Sequence, residues 1–325
     1  MTNLIKIIRA TEWWEYKFPP ILVIPYFIIL SDTNLKLSTV VCSVLFIIAA
    51  LVVGAIYVSI LNDITDIKED AIAGKNNNMA KHSRVKQFFI LSIPICLALS
   101  FCWFLRENNF ALAFYVLSYV SFTLYSVPPF RLKKRGVLGL FADASGSQML
   151  PTLFAVTFVS HYSHHQLSTI EILAIAAWSL SFGLRGILWH QFHDLDNDVR
   201  SGLYTIVQRM GRRTTIATGL LIITIELIAF LWLMYAIGNQ YLYIALLLYI
   251  IYMLYRIKKT DLEIIIIKYT SPNFDIVMNV FYQVFLPIAT LILISTNRPE
   301  FLGLTALHLL LFPTGFYRVI KNIFN

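Results

Sequence analysis

Nine apolar runs near bilayer length, at 17–32, 38–61, 85–105, 109–127, 137–160, 169–192, 214–236, 240–255 and 275–296, constrain this chain more than any other feature. Segments of this kind bury their backbone polar groups by forming helices, because hydrocarbon offers those groups no partner. With 58% hydrophobic residues and a mean hydropathy of +0.70, the chain is too apolar for a soluble domain. The expectation is an all-α polytopic membrane protein of about nine transmembrane helices, a single domain over 1–325. Residues 301–325 read as either an interfacial helix or an extra short span, because Pro313 and Gly315 interrupt the run and Arg318 and Lys321 follow it.

Basic residues test the topology. The N-terminus and the loops after the even-numbered helices hold twenty Lys and Arg, and the loops on the other side hold three. By the positive-inside rule this asymmetry puts the N-terminus in the cytoplasm. It also accounts for the net charge of +8 without nucleic acid, which is not expected as a partner. Cys42, Cys96 and Cys102 fall inside apolar runs with no paired spacing and read as small buried hydrophobes. The first hydrophobic segment lacks the pattern of a cleaved leader and is expected to be retained.

Two acidic clusters each close an even-numbered helix on that cytoplasmic side. The first, Asn62 to Asp70, reads NDITDIKED and spaces Asp63, Asp66 and Asp70 three and four residues apart, which on a helix lines one face. The second places Asp194 and Asp198 four apart. Asp196 points well away from Asp194 and reads as solvated. Carboxylates packed this closely repel one another unless cations neutralise them, and hard oxygen donors suit Mg2+ with positions left for phosphate oxygens. A third stretch, Tyr125 to Lys133, reads YSVPPFRLK, where Arg131 and Lys133 offer a planar fork and a point charge to a phosphate. Metal clusters and basic side chains at the mouth of a greasy bundle fit an anionic headgroup on a long apolar tail. A prenyl diphosphate has that form, ionised with metal assistance in a site that excludes water.

These motifs resemble the UbiA superfamily of intramembrane prenyltransferases. Residues 62–70 match its NDxxDxxxD motif, Tyr125 to Lys133 resembles its YSxPPxRxK segment, and DLDNDVRSGLYTIVQRMG at 194–211 is similar to its second Asp motif. The resemblance implies a nine-helix bundle around a cavity open to lipid, with Mg2+ and diphosphate under a cytoplasmic cap. It assigns Asn62, Asp63, Asp66 and Asp70 to one metal site and Asp194 and Asp198 to the other. Arg131 and Lys133 become diphosphate contacts, Tyr125 a group near the reacting carbon, and Lys17 or Arg9 of the first helix a further contact. The sequence departs from the family after Asp70, where it reads AIAGKNNNMAK: either Lys75 replaces the usual basic contact or the cap binds something different.

His190, one turn before Asp194, reads as a general base or as a histidine that holds a carboxylate. Arg185, deeper in the same helix, needs a partner, for which Asp143 and Glu226 are candidates. His161, His164 and His165 read as a solvated loop. The leading expectation is a Mg2+-dependent enzyme moving an isoprenyl group to a small, aromatic acceptor, with no obligate protein partner. A terpene cyclase of the same architecture and a polyprenyl-phosphate phosphoribosyltransferase keep the same motifs. A transporter is the alternative of a different class.

Overall fold

The computed structural model describes residues 9–324 apart from 33, 201, 203, 204 and 240. Lys6 of the N-terminal basic count, and Ser201, Leu203 and Tyr204 of the second motif, therefore lie outside the described residues. Each of the nine apolar segments is helical over most of its length. In chain order these are α1 (Ala10–Ser31), α2 (Leu37–Thr65), the short α3 (Ile67–Ile72), α4 (Arg84–Leu105), α5 (Asn109–Ser126), α6 (Val137–Ala144), α7 (Leu150–Ser160), α8 (Thr169–His193), the short α9 (Leu195–Arg200), α10 (Ile206–Ile237), α11 (Tyr241–Thr260) and α12 (Leu286–Asn297), then α13 (Leu302–Leu311) and α14 (Pro313–Phe324).

Among the described residues, five helices (α2, α4, α8, α10 and α11) are individually long and apolar enough to cross a membrane. The bent pair α13–α14 makes six if it counts as one span. The nine-span expectation exceeds that criterion for physical reasons. α1 carries a charged first turn and Pro19, Pro20 and Pro25. The stretches 137–160 and 281–297 are each interrupted by a π-helical turn, Ser145–Met149 and Phe281–Phe285. Pro151 and Pro287 follow those turns and lack the N–H that a continuous α-ladder would use.

α1 is the axis of the bundle. Every residue from Phe18 to Ile29 is buried, which is what a helix apolar all round requires. It packs on α7, itself buried from Leu150 to Val159, and on α12. The rim shows the opposite pattern, with Phe88, Ile93, Leu99 and Trp103 of α4 and Leu221, Ile228 and Leu247 of α10 and α11 exposed. Apolar side chains turned outward on this scale are those of a lipid-facing surface.

α8 and α10 share the most extensive helix contact in the molecule, and α8 crosses α6 closely at Gly183, where a Cβ would stand 2.8 Å from the Ala144 carbonyl oxygen. After α11 the chain folds a small tab: β1 (Glu263–Ile265) pairs in parallel with β2 (Phe274–Ile276), Ile264 opposite Asp275. From sequence this stretch is one of the basic loops after an even-numbered helix, with no strand expected. Ile267 from this tab packs with Leu140, Leu188, Ile206, Val207 and Ile222 as a second, smaller core beneath the second acidic motif. Within 301–324 the chain forms two helices meeting at 85° rather than one straight span.

Candidate active site

The first motif straddles a helix break. α2 ends at Thr65, Asp66 leaves helical geometry at φ −106° and ψ 7°, and α3 restarts at Ile67. The predicted single face of three carboxylates is thus split. Asp63 sits on the last turn of α2, Asp66 at the corner and Asp70 on α3. Each meets a different partner. Asp63, 1% exposed, is ion-paired to the Arg9 guanidinium at 3.0 Å. Asp66 meets Arg131 at 3.1 Å and the Lys133 ammonium. Asp70 accepts a hydrogen bond of 2.8 Å from the side chain of Asn77.

The Tyr125 to Lys133 stretch reaches this corner because α5 ends beside α2. The Ser126 hydroxyl donates to the Asn62 side-chain oxygen, fixing its orientation. Arg131 takes a left-handed φ of 37° and then a 3-10 turn, Leu132–Lys134, aims Lys133 inward until its side chain is 6% exposed. Burial strips water from the Lys133 ammonium and lowers its pKa, with Asp66 pulling the other way.

Glu69 joins the same network. It meets Arg131 and Lys134, each at 3.0 Å. Burial raises its pKa, but hydrogen bonds from Lys134 and Arg131 outweigh it and bring the carboxyl down to about 2. Glu69, Lys134, Asn77 and Arg9 as the partner of Asp63 were not singled out from sequence as site residues in these roles. Asn77 is the hub of the following loop, donating to the Asp63 carbonyl at 2.7 Å and accepting from the Met79 and Ala80 N–H groups. A basic residue directly after Lys133 and an acid between Asp66 and Asp70 were the available signals for the Glu69–Lys134 pair.

The second motif has the same design. α8 ends at His193, Asp194 occupies the junction and α9 follows. Lys75 reaches across from the loop after α3 to Asp194 at 3.3 Å, so the two acidic motifs face each other through one half-exposed ion pair. Asp198 has its pKa raised to about 6, by burial first and by the charge of Asp194 second, with Lys75 opposing. Asp196 is exposed, as expected. His193 meets the Ile267 carbonyl at 2.9 Å and stacks on Tyr269, which ties the motif to the tab.

Tyr125 lies within electrostatic reach of Asp143, Asp66 and Asp198, and so of one carboxylate from each acidic motif. His190 faces Lys17, Asp143 and Asp194 in the same sense. Of the two first-helix cations, Arg9 meets the first acidic motif, and Lys17 lies within electrostatic reach of Asp143 and His190. Arg185 is held by Glu226, not Asp143, through a fork of 2.7 and 2.9 Å with both side chains fully buried. On the opposite membrane face, His165 pairs with Glu171 at 3.0 Å and the His164 N–H is accepted by Asp32. The cavity of about 40 Å³ beside His165 is remote from the acidic motifs.

Among the described residues no three His, Cys, Asp or Glu side chains converge into a ready-made metal cage. The donor set still fits Mg2+. It is all oxygen, arranged as separate carboxylates, and Mg2+ is ordinarily held by one or two carboxylates with water and substrate phosphates completing the octahedron. Such a cation would take over the neutralising work that Arg9, Arg131, Lys133 and Lys75 now do.

No curated protein matches this sequence. Among solved structures, the chain is similar to a UbiA homolog from Archaeoglobus fulgidus bound to GPP and Mg2+, with a TM-score of 0.61, 12% identity, and 90% of this chain and 96% of that chain covered. The same homolog bound to DMAPP and Mg2+ gives a TM-score of 0.59 at 13% identity, covering 90% and 98%, and bound to Cd2+ a TM-score of 0.61 at 13%, with the same coverage. At such identities the likeness is one of fold. A sequence model of the UbiA prenyltransferase family matches residues 18–263, from the buried core of α1 to the start of β1 and through both acidic motifs, and the chain belongs to that family.

Proposed function

We propose that this protein is an integral membrane, Mg2+-dependent prenyltransferase that moves an isoprenyl group from a prenyl diphosphate to a small aromatic acceptor. The observation that carries this reading is the meeting of three separate sequence stretches at one end of the bundle. Arg131 and Lys133 lie on Asp66, and Lys75 joins the loop after α3 to Asp194. The relatives of like fold that bind GPP or DMAPP with Mg2+ support the substrate class.

In this reading Asn62, Asp63, Asp66 and Asp70 hold one cation and Asp194 and Asp198 a second. Bound Mg2+ would draw charge onto the leaving diphosphate. Arg131, Lys133 and Lys75 bind the diphosphate oxygens, Arg131 as a fork and the lysines as point charges. Tyr125, within reach of a carboxylate from each motif, positions the allylic carbon. His190 takes the proton the acceptor must lose, or orients Asp194 for its task. The apolar helices around α1 exclude the water that would otherwise quench the allylic cation. The acidic motifs face the cytoplasm, in keeping with the distribution of Lys and Arg.

Purified protein in detergent, given Mg2+ and a panel of prenyl diphosphates with and without aromatic acceptors, tests the reading through pyrophosphate release. Acceptor-dependent release with a prenylated product is the expected result. Release without acceptor, accompanied by a cyclic terpene, would replace the transferase with a cyclase. Transfer from a phosphoribosyl diphosphate to a polyprenyl phosphate would make the lipid the nucleophile. No release from any donor, with solute movement across liposomes, would overturn the enzyme reading.

A further inference from the structure

The C-terminal helices α13 and α14 lie after residues 18–263, the stretch that the family model matches. They are built onto α1 by specific bonds. The Trp14 indole N–H donates to the Leu311 carbonyl at 2.6 Å, and Tyr26 meets the buried His308 ring at 3.1 Å. The chain then turns by 85°, and the Glu15 carboxylate accepts the N–H groups of Thr314 and Gly315 at 2.9 and 3.0 Å, capping α14 from outside its own sequence. Two turns before Glu15, at the head of the same α1, stands Arg9 on Asp63.

α14 has three distinct faces. At 100° per residue, Val319 and Asn322 fall toward the protein, where Val319 is buried and Asn322 donates to the Tyr252 hydroxyl at 3.1 Å. Tyr317, Ile320 and Phe324 fall on the next arc and are exposed. Arg318 and Lys321 fall on the arc beyond and are also exposed. Its far end meets α11, where the Tyr255 hydroxyl donates to the Ile323 carbonyl at 3.0 Å and the exposed Lys259 donates to that hydroxyl. The acid facing this surface, Asp275, is engaged by Arg256 at 3.2 Å and lies within electrostatic reach of Arg318. A helix with adjoining apolar and basic arcs, fixed at a right angle to the helix before it, lies in the plane of a bilayer surface.

We infer that α14, with Lys259, is a binding surface for anionic phospholipid in the leaflet on the side of the acidic motifs, and that its cap on Glu15 links lipid occupancy to the placement of Arg9 on Asp63. Tyr317, Ile320 and Phe324 enter the acyl boundary, while Arg318, Lys321 and Lys259 meet the headgroup phosphates. The lipid surface stands independently of the catalytic reading, since it rests on α14 and α11 alone.

Hydrogen exchange of the full-length protein in nanodiscs of phosphatidylcholine, with and without phosphatidylglycerol, tests both parts. Amides of 316–324 are expected to exchange about five- to thirtyfold more slowly with the anionic lipid, the range for one to two basic side chains at such a surface. Arg318→Gln with Lys321→Gln should remove most of that difference, leaving at most the part carried by Lys259, while exchange in phosphatidylcholine alone is unchanged. Amides of the first turns of α1 should slow together with α14 in the parent, and Glu15→Gln should cancel the α1 response but keep that of 317–324. Equal exchange of 316–324 in both membranes overturns the lipid surface. A lipid response in α14 that never reaches α1 overturns the link to Arg9.

Discussion

Breaking the Arg185–Glu226 pair is the sharpest test of how the bundle is held. The guanidinium and carboxylate share two bonds, 2.7 and 2.9 Å, with 2% and 0% exposure, and join α8 to α10 over their most extensive contact. Removing one partner strands a charge in a low-dielectric interior and costs about 3–5 kcal/mol, whereas replacing both with apolar groups of similar volume is often neutral. Glu226→Leu or Arg185→Met alone should thus lower the unfolding midpoint by about 4–7 °C for a chain of this size. The double variant should return to within about 2 °C of the parent. Thermal unfolding in detergent, run as a double-mutant cycle, reads the coupling directly. Single variants that shift the midpoint by less than a degree, or a double variant that falls by the sum of the two, would refute the pair as the lock between these helices. Because α8 also carries His190 and leads directly into Asp194, pyrophosphate release should fall in the singles and recover in the double.

Asp66→Asn or Asp194→Asn should cut pyrophosphate release by at least about a hundredfold while the size-exclusion profile is kept, since each removes a charge aimed at the reacting group rather than a packing contact. The Glu69 carboxyl, brought to about 2 against an ordinary 4.5, gives a pH dependence of defined sign. Its folded pKa is depressed, so its contribution, up to about 3 kcal/mol, is fully present above pH 4.5 and is lost as pH falls toward 2. Glu69→Gln should flatten the acid-unfolding profile in that window. Gly211, at φ 74° and ψ 163° within the second motif, occupies a region that side chains with a Cβ avoid. Gly211→Ala should cost about 1–3 kcal/mol in the same thermal assay, although a Cβ there would meet no neighbour.

The acidic motifs were legible because their information is local. Asp63, Asp66 and Asp70, or Asp194 and Asp198, announce themselves by spacing, although the break at Asp66 splits the single face that the helix period implies. Pairing across the bundle was not legible. Nothing in the chain says that Arg9 rather than Lys17 reaches Asp63, because that depends on how far α1 slides along α2. Arg185 had two acids of similar depth to choose from, and the choice was made by α10 packing along α8. The tab at 261–276 was missed for another reason. Its strands are three residues each, too short to show a period in the sequence. The 85° turn at Phe312 could be placed by Pro313, but Glu15, whose carboxylate caps the helix after it, lies far away in sequence.

One electrostatic consequence joins these findings. Asp63, Asp66, Glu69, Asp70, Asp194 and Asp198 crowd one end of an apolar bundle, and Arg9, Arg131, Lys133, Lys134 and Lys75 stand against them. In the proposed reaction the same cations are wanted by the diphosphate and the same carboxylates by Mg2+. Either ligand alone must break ion pairs and leave one set of charges uncompensated. Both together exchange every pair for another. Binding of Mg2+ and of diphosphate should therefore be strongly coupled, by about five- to 150-fold, with the same factor measured in either direction. Calorimetric titration of inorganic pyrophosphate with and without Mg2+, and of Mg2+ with and without pyrophosphate, reads both factors, after correction for their association in solution. Independent binding of the two would mean that these ion pairs do not exchange, and that the substrate headgroup is held by other residues.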